Sequence, residues 1–153
     1  VFGRPELRDQ FARTVDEARE RARQIGLDFR AYPLELEEVA VCEARPTKIL
    51  VVSCEGWVAP CTYLAVPGQT EIPRRFQGKD VTVPPVRFGN VVNQELMDIW
   101  ENPAYRAFRK RFADRRLALA AKSVAAGSGS ASTGWKMPSP PEPCRTCYKL
   151  YGV

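Results

Sequence analysis
Apolar residues recur every three or four positions from the start of the chain, where Leu7, Phe11, Val15, Ala18, Ala22 and Ile25 form one stripe opposite a charged face. That period predicts an amphipathic helix over Pro5 to Ile25. Pro5 suits the first helical position and Gly26 the position past the end, while Asp9 with Arg13 and Glu17 with Arg21 are four-residue charge pairs. Leu27 to Tyr32 alternates with a period near two until Pro33, which predicts a short strand. Helix then strand is half of an α/β repeat. Lys48 to Ser53 is a β-branched run without alternation, as in a strand buried on both faces, and Cys54-Glu55-Gly56 turns it into Trp57-Val58-Ala59 as a hairpin.

Thr62 to Arg87 is rich in Pro, Gly and charge, with Val81 and Val83 its only hint of a strand, and reads as an extended surface excursion. A helix starting at Asn93 carries Leu96, Ile99 and Trp100 on one face. Asn102-Pro103 restarts the chain as a second helix through Tyr105, Phe108 and Phe112, so that two short helices cover the hairpin. Gly127 to Gly134 resembles a linker, and Pro138, Pro140, Pro141 and Pro143 stiffen the approach to Cys144.

With 153 residues the chain can bury roughly 70% of its unfolded surface as one domain. Its net charge of +5 permits acidic partners without calling for nucleic acid, and Arg106, Arg109, Lys110, Arg111, Arg115 and Arg116 read as a solvated helix face. There is neither an apolar run of membrane-spanning length nor a signal or transit peptide, so the expectation is a soluble, cytoplasmic protein without membrane contact. Histidine is absent, which excludes a His general base, a Ser-His or Cys-His pair and any His-containing metal site made by this chain alone. Trp100 is expected in the core, and the Asp98 and Glu101 carboxylates in solvent.

Five cysteines, an odd number without a secretory signal, fit a metal role better than a disulfide framework. Two cysteines separated by two residues, as in Cys144-Arg145-Thr146-Cys147, can turn both sulfurs toward one centre and make half a site. Cys42 and Cys61 on either side of the Gly56 turn are the natural other half. Such a four-thiolate set suits a four-iron four-sulfur cluster or zinc. Bringing Cys144 back to Cys61 closes a long loop at a length-dependent cost of roughly 4 kcal/mol, against about 10–16 kcal/mol for structural zinc binding in peptides. The metal-free chain is therefore expected to loosen first in its last 20 to 30 residues, by roughly that balance.

The order C-x13-G-x4-C, a long gap, then C-x2-C resembles the auxiliary-cluster region of radical SAM enzymes, called a SPASM domain or, where one cluster is held, a twitch domain. Lys48 to Ser53 leading to Ala59-Pro60-Cys61 resembles the family's hairpin. Phe88-Gly89-Asn90-Val91, then Leu96 to Tyr105 with Ile99-Trp100, then Phe108-Arg109, resembles its "GN...l.eIW....y..fR" pattern. The likeness covers roughly residues 40 to 150.

The resemblance implies an α+β domain, a β-hairpin with covering helices, that holds one [4Fe-4S] cluster on Cys42, Cys61, Cys144 and Cys147. Cys54 stands at a turn position where the family often has an acidic or other polar residue, and is expected not to ligate. Residues 1–38 resemble the closing helix and strand of a radical SAM barrel, with 39–153 as the auxiliary domain. The implied partners are the N-terminal radical SAM domain of the same enzyme, which would bring S-adenosylmethionine, and a peptide or small-molecule substrate. The implied roles are electron transfer and substrate positioning. The C-x3-C-x2-C motif that binds the S-adenosylmethionine-cleaving cluster is missing, so the chain is not expected to be catalytic alone and reads as an excerpt of a longer enzyme. A four-cysteine structural zinc module in protein interaction is the alternative, and a free-standing electron carrier a third reading.

Overall fold
The computed structural model describes residues 4–127 and 135–153. Most of the linker expected at Gly127 to Gly134 lies outside the described residues. The fold is α+β. A single 3-10 turn, Pro5–Leu7, leads into α1 (Arg8–Gln24), close to the predicted span. Gly26 takes φ +71° past its end, and the Leu27 amide bonds back to the Ala22 carbonyl at 2.9 Å, closing the last turn as a left-handed cap does. Ion pairs along α1 join Arg19 to Asp16 and Arg23 to Glu20, one residue closer than the expected four-residue pairs. The apolar stripe is only partly covered: Ala22 is buried, whereas Phe11 and Ile25 are exposed.

The strand expected at Leu27 to Tyr32 does not form, and these residues are exposed and irregular. Alternation stabilises a strand only where a neighbouring edge accepts its backbone groups, and none of the strands described next pairs with it. Five strands, β1 (Val51–Val52), β2 (Trp57–Ala59), β3 (Ile72–Phe76), β4 (Lys79–Val83) and β5 (Gly89–Asn90), make two antiparallel sheets. One has the order β1-β2-β5, with Val51 opposite Ala59 and Val58 opposite Gly89. The expected hairpin is present, but its first strand is neither long nor buried on both faces, since Ile49 and Val52 are exposed. Position in the sheet explains this: β1 is an edge, and central β2 takes the burial, with Val58 and Ala59 almost fully enclosed.

The stretch expected as a surface excursion instead carries the second sheet. β3 and β4 form a hairpin on Gln77-Gly78, both at positive φ (+50° and +78°), the pair of conformations that a tight two-residue turn matching strand twist requires. Ile72, Val83 and, from the 3-10 turn Thr62–Leu64, Leu64 belong to the core. Helix α2 (Leu96–Glu101) begins three residues after Asn93. Helix α3 (Pro103–Gly127) is not short: it runs for 25 residues. Asn102 accepts the Ala104 amide at 2.8 Å through its side chain, capping α3 ahead of Pro103. Tyr105, Phe108 and Phe112 lie on its buried face; Phe88 stacks on Tyr105 at 4.1 Å between ring centres and meets Phe108 at 5.6 Å. Trp100 packs against this core, as expected, and Asp98 and Glu101 are exposed.

Gly56 makes the turn between β1 and β2 at φ +82°, and a Cβ there would meet Asn90 Oδ1 at 2.5 Å and Val92 Cγ2 at 2.8 Å. Asn90 has little freedom to move aside, because its amide donates to the Glu55 carbonyl and its Oδ1 accepts the Val92 amide. Gly56→Ala is therefore expected to destabilise the domain by roughly 2–4 kcal/mol, combining left-handed strain with overpacking. Gly78→Ala, at φ +78° with open space around it, should cost about 1–2 kcal/mol from strain alone. Urea unfolding of the two variants checks the ranking; equal losses would show that the Asn90 lock does not matter.

Candidate metal centre
Three segments distant in sequence deliver four thiols to one cavity. Cys42 starts a tight turn, its carbonyl accepting the Arg45 amide at 3.1 Å, and Arg45 takes φ +45°. Cys61 follows β2 in an extended conformation and heads the 3-10 turn that carries Leu64 into the core. Cys144 closes the 3-10 turn Glu142–Cys144, Cys147 precedes another, Tyr148–Tyr151, and the Cys147 amide bonds the Cys144 carbonyl at 3.1 Å. Tight three-residue turns place side chains three apart on the same side, so the C-x2-C spacing directs both sulfurs one way. Cys42, Cys61, Cys144 and Cys147 all line this cavity, with Arg74, Phe108, Leu150 and Lys149 among its other walls.

Among the described residues, no three Cys, Asp or Glu side chains converge closely enough to grip a single ion. The four thiols surround a space rather than meet at a point. All five cysteines are free thiols, and Cys54 is exposed on its turn, outside that lining. Burial pushes the Cys42 thiol above its ordinary value and Cys61 up to about 11. Cys144 is also pushed up, by burial first and then by the repulsion a thiolate there would feel from Cys61 and Cys147. Packing four thiolates together without a cation is unfavourable, and a positively charged metal group removes that penalty as the ligands lose their protons. The Thr146 hydroxyl, between the paired cysteines, is buried with no hydrogen-bond partner among the described residues. The donor set therefore fits an iron–sulfur group.

The cysteine segments are also tied by cations that the sequence reading left in solvent or passed over. Arg74 on β3 donates to the Pro143 carbonyl at 2.6 Å and to the Tyr63 carbonyl at 3.1 Å. Lys149, two residues past Cys147, pairs at 2.6 Å with Glu43, next to Cys42. Backbone bonds join Val39 to Leu150 at 2.9 Å and Glu37 to Tyr151 at 3.4 Å. On α3 the solvated-face expectation fails at two arginines. Arg115 is wholly buried among carbonyls, and Arg109 donates to the Trp100 carbonyl at 2.6 Å with its guanidinium over the Trp100 ring, 3.9 Å from the centroid. Arg106, Lys110, Arg111 and Arg116 are exposed as expected.

No helix among the described residues is long and apolar enough to cross a membrane. No curated protein and no solved structure matches the chain. A family model does: the SPASM iron-sulfur cluster-binding domain matches residues 42–148. A match over well over half of the chain, starting on the first cavity cysteine and ending just past the last, makes this chain a member of the SPASM iron-sulfur cluster-binding domain family.

Proposed function
We propose that the chain holds one four-iron four-sulfur cluster on Cys42, Cys61, Cys144 and Cys147, and that it serves as the auxiliary domain of a radical SAM enzyme. The observation that carries this reading is the single cavity lined by four free thiols in a chain of an iron–sulfur family. Membership of an iron–sulfur family favours a multi-iron group over zinc, whose bonds of about 2.3 Å would draw four sulfurs tightly around one ion. When bound, the cluster supplies one-electron transfer.

The protein's own residues do the rest. The four thiols occupy every ligand position of such a cluster, which leaves electron relay rather than substrate ligation as the role. Val58, Phe108, Phe112 and Leu150, in the same apolar core as Cys144, keep water from that side of the site. Residues 1–38, in which the expected helix forms and the expected strand does not, are the end of the barrel domain that binds S-adenosylmethionine, residues 39–153 are the auxiliary domain, and the substrate is a peptide or small molecule positioned between them. The partly uncovered stripe of α1, with Phe11 and Ile25 exposed, supports an added apolar surface there.

Anaerobic reconstitution with iron and sulfide tests the reading. About four irons and four sulfides per chain are expected, with broad visible absorption that bleaches on reduction. Uptake should be lost in Cys144→Ala and Cys147→Ala but kept in Cys54→Ala. One tightly held zinc with no sulfide incorporated would replace the electron-transfer role with that of a structural zinc module.

A further inference from the structure
Two cations line the cysteine cavity, and they differ in how their charge is used. Lys149 is paired with Glu43 at 2.6 Å, so its charge is compensated in place. Arg74 forms no ion pair among the described residues: its guanidinium donates to two neutral carbonyls, those of Tyr63 and Pro143. Those carbonyls are not arbitrary. Tyr63 lies two residues after Cys61, and Pro143 lies one residue before Cys144, so the planar guanidinium bridges the two halves of the thiol frame across 69 and 11 residues of sequence separation. Arg74 is itself fixed in β3, where it pairs in register with Val81. A hairpin that the sequence presents as a loop is thus what delivers a cation to this cavity.

Resting on the cluster reading above, we propose that Arg74 is a positioning residue of the site with two separable actions: its fork fixes the distance between the Cys61 and Cys144 segments, and its uncompensated charge raises the site's affinity for an electron. One-electron reduction adds a negative charge within the cavity, and a fixed, half-buried cation on its wall favours that state. Partners outside the ligand set typically change metal retention by about 10–100-fold when removed.

Lysine and methionine separate the two actions. Arg74→Lys keeps the charge but loses the planar fork, and Arg74→Met keeps an apolar stem but loses both. In the reconstituted full chain, the midpoint potential is read by dithionite titration with mediators, and cluster retention by the rate of bleaching under an iron chelator. Arg74→Met is expected to have a more negative potential than the wild type and about 10–100-fold faster cluster loss. Arg74→Lys should lose the cluster faster than the wild type while keeping a potential near it. If Arg74→Met takes up no cluster, Arg74→Gln, neutral but still a donor, gives the same comparison. An unchanged potential in the neutral variant overturns the electrostatic action, and wild-type retention in Arg74→Lys overturns the fork. A wild-type chain that incorporates no iron and sulfide brings down the cluster reading itself, a result distinct from either.

Discussion
Arg115→Met is expected to destabilise the metal-free domain by about 3–5 kcal/mol, the loss typical of breaking a buried charged network from one side. Its guanidinium is fully enclosed and donates to the Ala40 carbonyl at 3.0 Å, to the Val39 carbonyl and a Glu38 carboxylate oxygen at 2.8 Å each, and to the Pro138 carbonyl. Methionine fills much of the volume but donates nothing, so up to three carbonyls lose their partner at about 1–3 kcal/mol each, while Glu38, partly exposed, can turn to water. Arg115→Lys should recover only a minor part, because one ammonium cannot reproduce a fork with five donors. Arg116→Met, one residue along on the exposed face, should stay within about 0.5 kcal/mol of the wild type. Urea unfolding measures all three. A loss under about 1 kcal/mol in Arg115→Met would mean that the network does not hold the fold.

That network also shows how a sequence can be read too coarsely. Tyr105, Phe108, Phe112 and Arg115 follow one another at spacings of three, four and three, which is one buried stripe of a helix. Pooled with its basic neighbours by composition, Arg115 looks solvated; placed by period, it falls on the core face. The same holds in reverse for Leu27 to Tyr32, where period two is present but no strand edge receives it. Lys48 to Ser53 promises more strand than forms, because an apolar run does not reveal whether its strand is central or at an edge. The β3-β4 hairpin is hidden in the sequence because its core residues, Ile72 and Val83, are separated by Pro, Arg and Lys; Gln77-Gly78 is its one signal. The cysteines were legible, being few and spaced by turns, and the five fall into four that line one cavity and one, Cys54, that does not. What holds the frame was not legible, since carbonyl groups at Tyr63, Pro138 and Pro143 have no signature in a sequence.

Removing the cluster anaerobically with a chelator is expected to speed amide exchange most at residues 135–153, by at least about 1000-fold, equivalent to roughly 4 kcal/mol of local opening. The segment has little regular structure of its own, only the 3-10 turns Glu142–Cys144 and Tyr148–Tyr151. Its attachments to the rest of the protein are side-chain and backbone bonds rather than shared secondary structure: Arg115 on Pro138, Arg111 on Pro140, Arg74 on Pro143, Lys149 on Glu43, Gln77 on Tyr148, Val39 on Leu150 and Glu37 on Tyr151, with Phe76 against the Tyr148 and Tyr151 rings and with Cys144 and Leu150 buried. Hydrogen bonds of this kind contribute about 0.5–3 kcal/mol each, whereas metal ligation in zinc peptides contributes about 10–16 kcal/mol for four ligands, so the segment's two ligands add on the order of 5–8 kcal/mol to those contacts. Amides of β2 and of α3 around Tyr105 should change less than about tenfold, because their burial rests on Val58, Phe88 and Phe108 rather than on the thiols. The sharpest contrast falls within one core: the Leu150 amide, bonded to the Cys147 carbonyl at 2.9 Å, should lose protection, while that of Phe88, bonded to the Val58 carbonyl at 2.9 Å, keeps it. Equal acceleration at both would show that the thiol frame and the hairpin core open as one unit, and that the cation clasps bind the C-terminal segment to the fold as firmly as its own ligands do.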